Sequence, residues 1–231
     1  MHNIEPGFTS DHRSLLIEFK RAELLLFGKS IQEKFGLHSP VYLDLREKLY
    51  DRIDLLWRIG GEFFQKIDSL ADPDSRQVVI GVPDTATPLA LSTVLYSWKQ
   101  RANTPMHYLL LRKEGKSYGS APPSYVIGKK DCKDCEYNLI DDVVASGLSK
   151  WKAIQSLKKE GIEVQRIFAF IDRQQGGSEL LEQEGYPVHS VFKLLDIVTF
   201  YLEEGLINED QHREICEFVQ SRRFDRTLWE D

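Results

Sequence analysis

Short apolar runs alternate with segments of helical periodicity between residues 78 and 192, and this alternation restricts the fold more than any other feature. The apolar runs have the length of buried strands and occupy residues 78–82, 106–111, 137–141, 166–171 and, as the weakest candidate, 188–192. The helical patterns between them occupy residues 84–101, 147–160 and 178–184. Strands and helices that alternate in this way predict an α/β fold, in which helices cover both faces of a mostly parallel sheet.

The segments on either side of this region follow a different pattern. Apolar side chains have helical spacing in residues 12–27, 47–68 and roughly 194–222, whereas residues 39–46 alternate like a short strand. Residues 120–130 contain two prolines and few core residues, which predicts a mobile loop. We predict one domain over residues 1–231, with its core sheet between about 76 and 192.

The composition argues against several classes of protein. A formal net charge of −6 and a pI near 5.6 disfavour nucleic acid as the main partner. The chain lacks an apolar run of about 18 residues, so no membrane partner is expected. Its first residues lack the basic start and apolar stretch of a secretory signal, so a cytoplasmic location is expected.

The cysteines carry a weak signal. Three cysteines in 231 residues do not predict a disulfide framework. Cys132 and Cys135 form a C-x-x-C motif, but a structural zinc site commonly needs a second such pair or histidines. A polar turn before a strand is the expected role, and a metal or redox site is the alternative.

Asp141 and Asp142 stand side by side at the end of the apolar run in YNLIDDVVASGLSKW. Ligands bind beyond the carboxyl ends of the strands in open parallel sheets, so we expect this pair to face a ligand. Carboxylates accept hydrogen bonds from hydroxyl groups, and two adjacent carboxylates can hold a vicinal diol.

Small residues, Gly147 among them, follow the acidic pair and lead into a helix. The helix that begins near Leu148 or Ser149 presents free backbone N–H groups and its positive dipole end to this loop. Such a helix start suits a phosphate, so the whole segment predicts a site for a sugar phosphate. The alternative is an N-capping cluster of Asp and Ser before an ordinary helix.

The acidic pair and its loop resemble the phosphoribosyl pyrophosphate (PRPP) motif of the type I phosphoribosyltransferases. Four further stretches resemble the orotate phosphoribosyltransferase family in particular. They are KFGLHSPVYLDLR (34–46), GVPDTATPLA (81–90), RKEGKSYG (112–119) and DRQQGG (172–177). Their order and spacing also match, and the resemblance extends from about residue 20 to 220.

The resemblance implies the type I phosphoribosyltransferase fold, with a small hood formed by about residues 1–75 and the C-terminal helices. It implies an enzyme that converts orotate and PRPP to orotidine 5′-monophosphate and pyrophosphate in pyrimidine synthesis. It further implies a Mg²⁺ ion held by substrate oxygens, with Asp142 as an additional contact. Members of the family form homodimers in which the mobile loop completes the neighbour's site.

The resemblance also assigns roles to individual residues. Catalysis is assigned to Lys116, Asp141 and Asp142, of which the two acids hold the ribose 2′- and 3′-hydroxyls. The loop that binds the 5′-phosphate comprises Ala145, Ser146, Gly147 and Ser149. The other substrate-binding residues are Arg112, Lys113 and Tyr118 of the mobile loop, and Lys34 and Arg173, which orient orotate.

Two of these assignments also follow from the chemistry of the residues. Residues 112–116 carry three cations against the single acid Glu114, and clustered cations stabilise a pyrophosphate leaving group. A solvated charged turn is the alternative. Arg173 follows a predicted strand and can hold a planar carboxylate, which orotate has, through two parallel hydrogen bonds. The alternative is a surface arginine paired with Asp172.

Three positions depart from the family pattern. Ala145 and Leu148 stand where members usually carry threonine or serine, and each lost hydrogen bond to a charged group costs about 1.5–3 kcal/mol. Two such losses would weaken PRPP binding roughly a hundredfold or more. Asp84 lies in the first pyrophosphate loop, where an acid repels the ligand. These departures support the alternative of a non-catalytic or regulatory binding protein on the same fold.

Overall fold

The structure is a computed structural model and describes residues 7–32, 38–45, 47–101, 103–115, 124–130 and 132–229. The strands in these ranges are β1 (Leu25–Gln32), β2 (His38–Leu43), β3 (Arg76–Gly81), β4 (His107–Leu111), β5 (Val126–Ile127), β6 (Cys135–Val144), β7 (Val164–Asp172) and β8 (Val188–Lys193). The helices are α1 (Ser10–Arg21), α2 (Ile53–Asp68), α3 (Ala86–Gln100), α4 (Leu148–Lys159), α5 (Gly177–Gln183), α6 (Leu194–Glu203) and α7 (Glu209–Ser221), with 3-10 turns at Lys48–Asp51 and Arg226–Trp229.

The central sheet has the strand order β5-β4-β3-β6-β7-β8, and its neighbours run parallel except for β4 and β5. The predicted α/β fold with a mostly parallel sheet is therefore confirmed. From β3 the chain continues on one side to β4, whereas β6 lies on the other side of β3. The order of the strands thus reverses between β3 and β6, and such a switch point is where open α/β sheets bind ligands.

Three segments differ from the sequence prediction. The predicted helix over 12–27 ends at Arg21, because Glu23 adopts a left-handed backbone conformation (φ 52°) and the chain then enters β1, which pairs antiparallel with β2. The helical segment predicted over roughly 194–222 is formed by two helices, since Gly205 (φ 65°) separates α6 from α7. Part of the predicted loop over 120–130 is the short strand β5.

The hydrophobic core extends from α1 to the C-terminal helices. Leu16 of α1, Phe170 of β7 and Phe200 of α6 are all fully buried members of it. Tyr201 is also fully buried, and its hydroxyl donates a hydrogen bond of 2.6 Å to the Leu16 carbonyl oxygen. The two ends of the chain therefore pack on the same sheet, while the division into a core of about 76–192 and a hood stays a prediction.

We expect Tyr201→Phe to lower the free energy of unfolding by about 0.5–1.5 kcal/mol, because it removes one buried hydrogen bond and keeps the ring. Urea denaturation followed by circular dichroism measures this change. Tyr108→Phe is the matched control, since Tyr108 is half-buried and its hydroxyl has no hydrogen bond to the described residues. Equal losses in the two variants would contradict a role for the Tyr201–Leu16 hydrogen bond.

Candidate functional site

The acidic pair lies inside the central strand of the sheet. Strand β6 continues past the predicted end at residue 141 to Val144, and Asp141 pairs in register with Ala169 of β7. Asp141 is buried and Asp142 is half-buried. Both acids therefore lie at the carboxyl end of β6, as the sequence predicts, and the structure shows that this end adjoins the switch point between β3 and β6.

Three donors hold the carboxylate of Asp141. Its Oδ1 accepts the backbone N–H of Asp142 at 2.9 Å, and its Oδ2 accepts the hydroxyl of Ser149 at 3.3 Å. The Oδ2 atom also forms an ion pair with the ammonium of Lys150, whose side chain is only 3% exposed. Asp141 is thus occupied by groups of the protein itself.

Asp142 has a different environment. Its Oδ1 accepts the backbone N–H of Val143 at 2.8 Å. Burial, followed by the charge of Asp141 and a hydrogen bond with it, raises the pKa of Asp142 to about 8, although the charge of Lys150 acts in the opposite direction. Asp142 therefore retains a proton close to neutral pH, and a donor or cation that binds there favours its ionised form.

The loop after the acidic pair forms the start of α4. Gly147 adopts a left-handed conformation (φ 76°) that a side chain would strain, and its carbonyl accepts the N–H of Trp151 at 2.9 Å. The N–H of Leu148 reaches the Ser146 hydroxyl only at 3.5 Å. The first turn of α4 therefore presents weakly satisfied donors, which is the arrangement that binds an anion.

The four residues for which the sequence predicts phosphate binding lie together, Ala145, Ser146 and Gly147 in the loop and Ser149 in the first turn of α4. Two details bear on the departures from the family pattern. The Ser149 hydroxyl donates to Asp141, and Leu148 is half-buried with part of its side chain against the hydrophobic core.

A C-terminal segment, residues 222–229, lies against this loop. The indole N–H of Trp229 donates to the Ser146 carbonyl oxygen at 3.0 Å, and the ring stacks on Trp151 of α4 with a centroid separation of 5.0 Å. A Cβ added to Gly147 would lie 2.9 Å from the Trp229 ring. The backbone N–H of Phe224 donates to the Gln175 carbonyl at 2.8 Å. This segment therefore supports both the loop that follows the acidic pair and the turn after β7.

Arg173 lies at the end of β7, beside the acidic strand. Its backbone N–H donates to the Val144 carbonyl at 2.9 Å, and its guanidinium donates to the buried Ser39 hydroxyl of β2 at 3.2 Å. Arg173 is 8% exposed, which argues against the alternative of a surface arginine. Lys34, the other residue expected to orient orotate, lies outside the described residues.

The loop after β3 and the start of the predicted mobile loop meet at an ion pair. The ammonium of Lys113 lies 3.3 Å from Oδ2 of Asp84, and both side chains are 74% exposed. The negative charge of Asp84, which would otherwise repel pyrophosphate, thus has a cation beside it. Arg112 is half-buried, and its backbone N–H donates to the Tyr125 carbonyl at 2.7 Å. Lys116 and Tyr118 lie outside the described residues.

Cys132 lies in a turn before β6, as the sequence predicts, and forms a disulfide with Cys135, the first residue of that strand, which the sequence does not predict. Within the described ranges, no group of three or more His, Cys, Asp or Glu side chains is arranged to hold a metal ion. In the same ranges no helix is both long and apolar enough to cross a membrane.

Two contributors to the site are not predicted from the sequence. Lys150 stands in the first turn of α4, where a cation opposes the helix dipole, and this is a signal that could have marked it. Trp229 carries no local signal, because only the tertiary structure brings it to Ser146.

Curated proteins similar to this chain carry two names. Uridine 5′-monophosphate synthase of Bos taurus is 34% identical over 211 residues, which cover 91% of this chain and 41% of that protein. Orotate phosphoribosyltransferase of Thermoplasma acidophilum is 31% identical over 165 residues, which cover 71% of this chain and 85% of that protein. The chain thus spans about two fifths of the length of two uridine 5′-monophosphate synthases, 41% of the Bos taurus protein and 39% of the Caenorhabditis elegans protein. It spans 85% of the Thermoplasma acidophilum orotate phosphoribosyltransferase. No protein-family model matches the chain.

Solved structures show the same fold. The orotate phosphoribosyltransferase of Francisella tularensis superposes with a TM-score of 0.70 at 19% identity, covering 94% of this chain and 98% of that one. The Mycobacterium tuberculosis orotate phosphoribosyltransferase in complex with PRPP gives a TM-score of 0.62 at 21% identity, covering 81% and 98%. The type I phosphoribosyltransferase fold predicted from the sequence is therefore confirmed.

We expect Asp142→Asn to stabilise the protein near neutral pH. The pKa of Asp142 in the fold, about 8, exceeds its ordinary value of 3.8, so the unfolded chain releases this proton first as the pH rises. Stability linked to Asp142 is therefore present below pH 4 and is lost between about pH 4 and 8. At pH 7.5 the free energy of unfolding of the variant should exceed that of the parent protein by about 1–3 kcal/mol. The two values should coincide near pH 4.

Thermal unfolding of both proteins across this pH range measures the difference. Asp51→Asn is the control, because Asp51 is exposed and lies outside the site. A constant offset between Asp142→Asn and the parent protein at all pH values would contradict the raised pKa.

We expect Trp229→Phe to cost at least about 0.5–1.5 kcal/mol of unfolding free energy, since the hydrogen bond to Ser146 is lost and a smaller ring replaces the indole. Denaturant titration measures the loss. Trp98→Phe serves as the control because Trp98 is 60% exposed. If Trp229→Phe were as stable as Trp98→Phe, the indole N–H would not be supporting the loop.

Proposed function

Since the chain belongs to the orotate phosphoribosyltransferase family, we propose that it transfers the phosphoribosyl group of PRPP to orotate, forming orotidine 5′-monophosphate and pyrophosphate. One observation carries the proposal furthest. The acidic pair of β6 and the start of α4, with its weakly satisfied N–H donors, adjoin each other at the switch point of the sheet. A ligand that spans them carries hydroxyls at one end and a phosphate at the other.

The ribose 5-phosphate part of PRPP fits this arrangement. The 5′-phosphate is received by the loop around Gly147, whose backbone N–H groups supply donors that do not depend on the side chain at position 145. Asp142 accepts a ribose hydroxyl. As the glycosidic bond breaks, the ribose gains positive charge, which the adjacent carboxylates stabilise.

The pyrophosphate end points to the opposite side of the switch point, where the loop after β3 lies. Lys113 is already placed there by Asp84, and Arg112 lies at the end of β4. Cations at these positions bind the leaving group, and the proposal adds Lys116 and Tyr118 from the same loop. Closure of this loop excludes water, which would otherwise hydrolyse PRPP.

Mg²⁺ is part of the proposal as an ion held mainly by oxygen atoms of the substrate. Mg²⁺ commonly binds through one or two carboxylates together with substrate phosphates, and Asp142 fits as such a carboxylate. When bound, Mg²⁺ neutralises charge on the pyrophosphate. The residues of the chain then have to orient the ribose and the attacking base.

Orotate is oriented by Arg173 in this proposal. The guanidinium emerges from the end of β7, next to the acidic strand, and Ser39 fixes one of its nitrogen atoms. A guanidinium can bind a planar carboxylate through two parallel hydrogen bonds, and orotate has such a carboxylate whereas uracil and the purines lack one. Lys34 supplies a second contact to the base.

We also propose that the protein is a cytoplasmic homodimer. Leu91, Leu95 and Trp98 lie on one face of α3 at helical spacing and are 44%, 48% and 60% exposed. Apolar side chains grouped in this way are typical of a protein interface. A second copy of the chain would cover them.

The proposal is tested by incubating the protein with PRPP, Mg²⁺ and orotate and measuring orotidine 5′-monophosphate and pyrophosphate. Both products are expected in equal amounts, with none when uracil replaces orotate. Binding of PRPP without products would instead support a non-catalytic protein on this fold. The absence of PRPP binding by calorimetry with Mg²⁺ present would refute the ribose-phosphate site itself.

In the same assay Lys113→Ala should lower kcat about 10- to 100-fold, because one charge-assisted contact to the leaving group is worth about 1.5–3 kcal/mol. Lys129→Ala is the matched control, since Lys129 is an exposed lysine outside the site. Similar rates for the two variants would remove Lys113 from the mechanism.

A further inference from the structure

Lys150 has an unusual position for a lysine. It belongs to the first turn of α4, and its side chain, only 3% exposed, returns to the end of β6. The ammonium contacts three oxygen atoms, which belong to the carboxylate of Asp141, the backbone carbonyl of Val143 and, at 3.3 Å, the hydroxyl of Ser149. An ammonium group has three N–H donors, so this environment satisfies it completely.

Packing alone does not account for a lysine here. A cation in the first turn of a helix opposes the helix dipole. Removing an ammonium from water is costly, and buried ion pairs are often no more stable than apolar residues of similar size. An apolar side chain at position 150 would fill the same space without either cost. The position therefore points to a need for positive charge beside Asp141.

The consequence of this charge is that the two acids are not equivalent. Both oxygen atoms of Asp141 are occupied, Oδ1 by the backbone N–H of Asp142 and Oδ2 by Lys150 and Ser149. In Asp142 only Oδ1 accepts a backbone hydrogen bond, from Val143. Apart from the hydrogen bond between the two acids, no N–H or hydroxyl donor among the described residues reaches the other oxygen of Asp142.

We propose that Lys150 is a positioning residue that supplies the counter-charge of the acidic pair from within the protein. It ties Asp141 into the fold, leaves Asp142 as the carboxylate that receives the ribose, and occupies the place that a divalent cation shared by both carboxylates would take. The part that concerns ribose rests on the proposed function, whereas the part that concerns the cation does not. This assignment differs from the expectation that both acids hold the diol equally.

The exclusion of a divalent cation is tested without substrate. Mn²⁺ is titrated into the protein in the absence of PRPP and followed by calorimetry and by the electron paramagnetic resonance signal of free Mn²⁺. Lys150→Met removes the charge and keeps an unbranched side chain. It should bind Mn²⁺ at least about tenfold more tightly than the parent protein, since two carboxylates then lack a cation. Lys152→Met, an exposed lysine on the same helix, should leave the affinity unchanged.

Adding Asp141→Asn to Lys150→Met should abolish the gain in Mn²⁺ affinity, because one of the two carboxylates is then neutral. A loss of packing would not create a metal site, so this readout separates a charge role from a structural one. Circular dichroism establishes that the variants are folded, and Lys150→Gln replaces Lys150→Met if the latter is not. The proposal is overturned if a folded Lys150 variant binds Mn²⁺ no more tightly than the parent.

A second arm compares the parent protein with the single variant Asp141→Asn. Mn²⁺ binding without PRPP that Asp141→Asn abolishes would also overturn the proposal, because the pair would then bind the cation despite Lys150. Neither arm contains orotate or measures turnover. A protein that fails the product assay can still pass both arms, so the two proposals fail independently.

Discussion

The parallel pairing of β6 between β3 and β7 is the constraint on which the site depends. Parallel strands bring their carboxyl ends to one edge of the sheet, so the segments after these three strands meet there. They carry Asp84, the loop that follows the acidic pair, and Arg173. The hydrogen bond from the Arg173 backbone to Val144 fixes the last two segments relative to each other.

This edge concentrates interactions that do not favour stability. Two carboxylates adjoin each other, one of them with a raised pKa, and a lysine is buried at the start of a helix. Groups with perturbed pKa values and unfavourable burial are typical of functional sites. The rest of the chain offsets their cost through a core that extends from α1 to α7 and through the C-terminal segment, whose Trp229 packs against Gly147 and Trp151.

Local patterns predicted the central strands well because buried strands need apolar side chains wherever they lie. These local patterns failed where pairing with another strand decides the structure of a segment. Residues 25–27 continue the helical spacing of α1, yet they form β1 because β2 pairs with them. Val126 and Ile127 follow two prolines, but β4 provides their backbone partners and makes them a strand. Short segments follow their neighbours in space more than their own propensity.

The sequence by itself determined the order of the central strands and helices, the acidic pair, the glycine before α4 and the arginine after β7. These features depend on residues close together in the chain, and local backbone chemistry fixes them. Only the tertiary structure decided which oxygen atoms the acids leave free, because that depends on where Lys150 returns to β6. It also decided that Trp229 supports Ser146, 83 positions away in the chain, and that Ser39 holds Arg173. Contacts between distant segments arise from packing on a common sheet, and no local pattern encodes them.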